Sequence, residues 1–235
     1  MSEKIIVLSS GGVDSSTCVA LAVSQAGSSN VACVSIYYGQ KHDKELVCSR
    51  RIAAYYHVKQ YEFDLSAIMQ YSDCSLLKGS PQAVSHGSYA SQIAEHGRVS
   101  SYVPFRNGLM LSVCASLAQS LFPDDDVTLY LGAHADDYAG NAYADCSPEF
   151  VSAMDSAIHI GTYGHVHVVA PFVGTDKAGI VKKGLELNVP YELTWSCYEG
   201  GDTPCGKCGT CIDRANAFKA NGVDDPLTAV KKTTD

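Results

Sequence analysis

Apolar and polar positions fall into two kinds of block along this chain, and the blocks alternate. Short β-favouring runs occupy residues 4–9, 31–38, 60–64, 127–132 and 166–170, the pattern of strands buried in a parallel sheet. Between them lie longer segments at 15–26, 42–56, 107–121, 148–158 and 177–187 that predict helices. The clearest is 107–121, where Met110, Val113, Cys114, Leu117 and Leu121 form one helical stripe. Regular alternation of this kind predicts an α/β fold, with a parallel sheet covered by helices on both faces. In such folds ligands bind at the carboxyl ends of the strands.

Two stretches break the rhythm. Residues 71–101 are rich in Ser, Gly, His and Gln without clear periodicity, which predicts a lid or loop insertion over a site. From Tyr191 onward the pattern dissolves into Gly, Pro and Cys, and the final PLTAVKKTTD is expected to fray. The domain expectation is an α/β unit over 1–190 and a small metal-organised segment over 191–235.

Composition narrows the partners. With 235 residues and 46% hydrophobic content, the chain can bury one good-sized core and little more. No stretch approaches the ~20 apolar residues of a membrane span, and no secretory apolar run precedes the first glycines, so a soluble cytoplasmic protein is expected. A net charge of −8 disfavours a broad nucleic-acid surface and favours small-molecule substrates.

Chemistry concentrates at the two ends. After the first strand comes Ser9-Ser10-Gly11-Gly12-Val13-Asp14-Ser15-Ser16-Thr17-Cys18. Its glycines permit a tight turn, and the unpaired N–H groups of the following helix attract an anion such as a phosphate. It is neither G-x4-G-K-[ST] nor G-x-G-x-x-G. Near the other end, Cys197, Cys205, Cys208 and Cys211 have the spacing of a tetrahedral metal site, while Cys18, Cys33, Cys48, Cys74, Cys114 and Cys146 are scattered. Four thiolates close the coordination shell, so the expected metal, a single Zn²⁺, is structural. His134, near Asp136 and Asp137 at a strand end, is a candidate for chemistry as well.

The S-G-G-x-D-S loop resembles that of the PP-loop ATP pyrophosphatase superfamily. The spaced set Tyr38-Gly39-Gln40, Val103-Pro104-Phe105-Arg106-Asn107, Gly132-Ala133-His134, Tyr143-Ala144-Asp145-Cys146 and the four cysteines narrows this to a resemblance to the QueC family, over residues 4 to about 215. The resemblance implies a Rossmann-like sheet of the adenine nucleotide alpha hydrolase type, and a zinc-dependent ligase of queuosine biosynthesis, possibly homodimeric. Its reaction would convert 7-carboxy-7-deazaguanine and ammonia into the 7-nitrile with two ATP and Mg²⁺. Residues 9–18 would then hold the ATP phosphates, with Asp14 organising Mg²⁺. Arg106 would clamp phosphate or substrate carboxylate and Lys177 would offset pyrophosphate charge. Asp136 would lie among the catalytic groups, and Asp145 would accept hydrogen bonds from the base.

One departure stands in the fourth motif, where the family commonly has proline at Ala144 and often arginine at Ser147. It leaves open a transfer of the activated carboxyl to a different amine. Another PP-loop activity, such as a tRNA thiolase, is the remaining alternative.

Overall fold

The computed structural model describes residues 3–96 and 99–229. Its elements follow in order: β1 (Lys4–Leu8), α1 (Val13–Ala26), β2 (Val31–Tyr37), α2 (Lys44–Tyr55), β3 (Lys59–Asp64), α3 (Ser66–Met69), α4 (Tyr89–His96), α5 (Arg106–Leu121), β4 (Val127–Tyr130), α6 (Ala135–Tyr138), α7 (Pro148–Gly161), β5 (Val166–Val169), α8 (Lys177–Glu186), α9 (Gly209–Ala220) and α10 (Pro226–Ala229). The expected strands and the long helices are all present. Part of the tail expected to fray, residues 230–235, lies outside the described residues.

The five strands form one parallel sheet in the order β3-β2-β1-β4-β5. The chain runs outward from β1 to β3 on one side and then returns to place β4 on the other. The crevice between the carboxyl ends of β1 and β4 is therefore the topological switch point, where such sheets bind ligands. Ile5, Val7 and Cys33 face one side of the sheet, and pack with Val19 of α1 and Ile180 of α8. Ile6, Val34 and Leu129 face the other, against Leu111 and Cys114 of α5 and Ile158 of α7. Two buried faces explain why the strands read as apolar runs.

Local chemistry sets the helix starts that matter here. Ser147 caps α7 by accepting the Phe150 N–H at 3.1 Å, ahead of Pro148 at the first helical position. Asp176 caps α8 by accepting the Gly179 N–H at 2.7 Å. Helix α8 thereby begins with Lys177 at the rim of the crevice.

The stretch without periodicity has structure of its own. Residues Cys74, Leu76 and Leu77 pack with Tyr38, Met69 and Val103 in a small separate cluster. The Ser75 N–H donates to the Ser100 carbonyl at 3.0 Å, tying the two ends of the excursion together. Helix α4 within it escaped sequence reading because its eight residues are too few to show a period among Ser, His and Gln. No helix among the described residues is long and apolar enough to cross a membrane.

Candidate active site

The turn between β1 and α1 is built on Gly11. It sits at φ +78°, and a Cβ there would lie 2.4 Å from the Glu45 carbonyl oxygen and 2.5 Å from the Ser49 nitrogen. Only glycine permits that approach, which presses the loop onto α2. Gly132 does the same service at the end of β4, where a Cβ would come within 3.2 Å of the Ser15 nitrogen. A helix cannot pair its first N–H groups internally, and those of α1 open onto a cleft lined by Ser9, Ser10, Gly12, Asp14 and Ser15. The rest of the expected loop set divides differently. Gly11 shapes the turn, Val13 and Cys18 belong to the core beneath, and Thr17 donates to the Val13 carbonyl at 2.8 Å and contacts the Tyr191 hydroxyl at 2.8 Å. Ser16 is fully buried, and its hydroxyl has no partner. These four follow a helical turn that carries them away from the cleft.

The charged heart of the cleft joins three elements. Lys177 of α8 donates to Asp14 Oδ2 of α1 at 2.6 Å and to His134 Nε2 at 3.0 Å. An ammonium can only donate, so Nε2 accepts and the neutral imidazole carries its proton on Nδ1. Burial pushes the Asp14 carboxyl up, but Lys177 and then His134 outweigh it and hold the group below its ordinary value. Burial disfavours the Lys177 ammonium, and Asp14 followed by Asp137 more than restores it. Both members of this pair are ionised at neutral pH.

Asp136 does not line the cleft. Its Oδ2 accepts the backbone N–H of Lys177 at 2.8 Å, so it fixes the start of α8 and acts on the site through Lys177. The cleft-lining acid is its neighbour Asp137, whose carboxyl is raised by burial against the opposing pull of His134 and Lys177. Asp145 also lies off the cleft surface. It is buried, with Oδ2 accepting the Asn107 N–H at 3.0 Å, while its carbonyl takes the Asn107 side-chain amide at 3.0 Å. Asp145 thus caps α5 and orients Arg106 beside it, rather than presenting a free edge to a base. Arg106 itself does reach the cleft, its guanidinium 5.1 Å over the Tyr38 ring.

Sequence reasoning missed Glu45, Tyr89 and Asp213, all of which line the cleft. They arrive on α2, α4 and α9, remote from the glycine loop, and no local pattern marks them.

The cysteines form the far wall. Their four Sγ atoms all lie within 4.8 Å of one another, the pair Cys205–Cys211 at 4.0 Å. A tetrahedral ion with bonds of ~2.3 Å needs sulfurs ~3.8 Å apart, so small side-chain adjustments would let these four hold a metal. Backbone N–H groups of Cys208 and Lys207 point at Cys205 Sγ at 3.3 and 3.4 Å, which favours the thiolate form. The knot is fastened to the loop by the Trp195 N–H on the Gly11 carbonyl at 2.9 Å, and to residues 71–101 by the Gly87 N–H on the Lys207 carbonyl at 3.0 Å. Ser196, Tyr198, Thr210 and Asp213 from this segment line the cleft. The expected division at residue 190 therefore falls across a packed surface, with Tyr191 and Phe218 buried in the same cluster as α1 and α8.

A glycine loop at the switch point of a parallel sheet, a Lys–Asp pair at its mouth and a thiolate knot for a wall define a nucleotide-cleft α/β protein with a metal-binding appendix. Comparison with known proteins sharpens this: the family described as "Queuosine biosynthesis protein QueC" matches residues 4–222, and the chain belongs to that family. A relative from Archaeoglobus fulgidus named 7-cyano-7-deazaguanine synthase is 40% identical over 225 residues, covering 95% of this chain and 89% of that one. The synthase of the same name from Thermoplasma acidophilum is 39% identical, covering 99% and 94%. A protein from Colwellia psychrerythraea named 7-cyano-7-deazaguanine synthase 2 is 35% identical, covering 96% and 98%.

Proposed function

We propose that this protein is a 7-cyano-7-deazaguanine synthase, making the nitrile from 7-carboxy-7-deazaguanine and ammonia while two ATP are converted to AMP and pyrophosphate. The observation that carries the reading is that one cleft joins the glycine loop and Lys177 to an end lined by Tyr38, Arg106 and Tyr198, so a triphosphate and a flat base fit side by side. The names of relatives at 35–40% identity support it.

A carboxylate resists nucleophiles because its own charge shields the carbon. Attack of its oxygen on the α-phosphorus of ATP expels pyrophosphate and leaves an acyl adenylate, which ammonia converts to the amide with loss of AMP. The amide oxygen is then adenylated by the second ATP, and loss of AMP with a proton leaves the nitrile.

Residue roles follow from placement. The first N–H groups of α1 and the hydroxyls of Ser10 and Ser15 cradle phosphate. Lys177 neutralises charge as pyrophosphate leaves. Asp14 Oδ1 is buried without a hydrogen-bond partner, and with Asp137 it forms the acidic set that would hold Mg²⁺, an ion that shields phosphate charge. Burial raises Asp137, which suits it to take a proton from ammonium. Arg106 holds the substrate carboxylate. The metal of the thiolate knot is one Zn²⁺, structural because all four positions are filled by sulfur. A cytoplasmic homodimer belongs to the same reading.

The test is incubation with ATP, Mg²⁺, ammonia and 7-carboxy-7-deazaguanine, with products followed by mass spectrometry. Nitrile and AMP in a ratio of one to two are expected. AMP with no nitrile would reject ammonia as the acceptor.

A further inference from the structure

Two opposite charges line the same end of the cleft and do not pair with each other. Glu45, in the first turn of α2, borders both the main cleft and a small adjoining pocket that it shares with Tyr38 and Gln40. Its carboxylate takes part in no hydrogen bond or ion pair among the described residues, and Arg106 in no ion pair. The other polar groups nearby are engaged. Gln40 Oε1 accepts the Tyr38 N–H at 2.8 Å, the Tyr89 and Tyr198 hydroxyls meet at 3.1 Å, and Asp145 accepts the Asn107 N–H at 3.0 Å. That leaves one free carboxylate and one free guanidinium for a ligand. Burial lifts the Glu45 carboxyl to about 7 in spite of Arg106, so its ionised form stands to gain from donors that a ligand supplies.

A 2-amino-4-oxo-pyrimidine ring offers the complementary set along one edge: an oxygen acceptor, a ring N–H, then an exocyclic NH₂. A carboxylate accepts the last two together, in the paired geometry that carboxylates favour. A guanidinium takes the oxygen. In a 7-carboxylated deazaguanine that oxygen lies next to the carboxyl group, so the same guanidinium holds the reacting end. We propose that Glu45 is the specificity-determining residue for the base, accepting its ring N–H and 2-amino group while Arg106 takes the adjacent oxygen. The assignment rests on the deazaguanine reading above. A site built to satisfy these donors discriminates strongly against a ring that lacks one, because the buried carboxylate is then left unpaired.

The test compares wild type with Glu45→Gln, an isosteric change, on two substrates: 7-carboxy-7-deazaguanine and its analogue lacking the 2-amino group. Wild type is expected to lose about 100-fold in kcat/KM when the amino group is removed. Glu45→Gln is expected to lose about 100-fold on the parent substrate and to discriminate less than about 3-fold between the two, with its KM for ATP unchanged. Retention of wild-type discrimination by Glu45→Gln would overturn the assignment, as would a wild type indifferent to the amino group. Failure of wild type to turn over the parent substrate would instead reject the synthase reading itself. Should Glu45→Gln lose its fold by circular dichroism, Glu45→Asp serves in its place. The shortened carboxylate is expected to raise the KM for the base and leave that for ATP alone, and an unchanged KM for the base overturns the assignment.

Discussion

Lys177 and Asp14 show what a single contact does in this cleft. Their 2.6 Å ion pair is mostly buried, with side-chain exposures of 13% and 22%, so removing the ammonium leaves a carboxylate in poor solvent. Lys177→Ala is expected to lower stability by about 2 kcal/mol and kcat/KM by about 100-fold or more, read by urea unfolding and steady-state kinetics. Unchanged values in both would remove the pair from the account. Glu45 acts in the other direction. Its carboxyl is raised from 4.5 to about 7, so the folded chain holds a proton that the unfolded chain has released between those values. Stability therefore declines as pH rises through that window. In Glu45→Gln that decline should vanish, so the melting temperature gained over wild type is larger at pH 8 than at pH 5. An equal gain at both pH values would contradict the burial argument. At this scale the sequence was half legible. Lys177 and Arg106 stood out as lone cations beside motifs, and both face the cleft. Asp136 and Asp137 are adjacent, and only the docking of α6 against α8 decides that the first supports Lys177 and the second lines the site. Glu45 and Asp213 gave no local signal, because long-range packing alone carries them to the glycine loop.

Elements were read more easily, since each strand is covered on both faces and each long helix on one, which writes their lengths into the apolar pattern. The turn after β1 was legible for the same reason that it is fragile. Gly11→Ala would place a methyl against the α2 backbone at a φ that alanine rarely adopts, and it should abolish ATP binding measured by calorimetry while leaving the sheet's circular dichroism in place. Tight ATP binding by that variant would mean that the loop does not need its contact with α2. Less legible was the anchoring of α9. Arg214 donates to both oxygens of Asp225 at 2.8 and 2.9 Å and to the Thr194 hydroxyl at 2.8 Å, all buried. An isolated arginine in a cysteine-rich tail reads as a surface charge, and only the fold shows it as the clasp holding the cleft's metal-binding wall. Arg214→Ala should cost about 3 kcal/mol, with a loss under 1 kcal/mol in chemical denaturation counting against this role.

For the molecule as a whole, the cysteine knot is less an appendix than a wall, since it binds the glycine loop through Trp195 and residues 71–101 through Gly87. The sequence showed the four ligands by spacing but not this fastening, because the contacts are made by backbone groups that leave no compositional trace. Cys208→Ser should therefore release the metal, measured by plasma mass spectrometry, and raise the KM for the base as well as for ATP. Full metal content with native kinetics in that variant would contradict a wall held by four thiolates. The central claim is that a nucleotide and a carboxylated base meet in this cleft and react there. Exchange of labelled pyrophosphate into ATP, run without ammonia, tests it most directly. Label should enter ATP only when 7-carboxy-7-deazaguanine is present, because an acyl adenylate must form for pyrophosphate to return. No exchange with that acid, or equal exchange without it, would contradict the account.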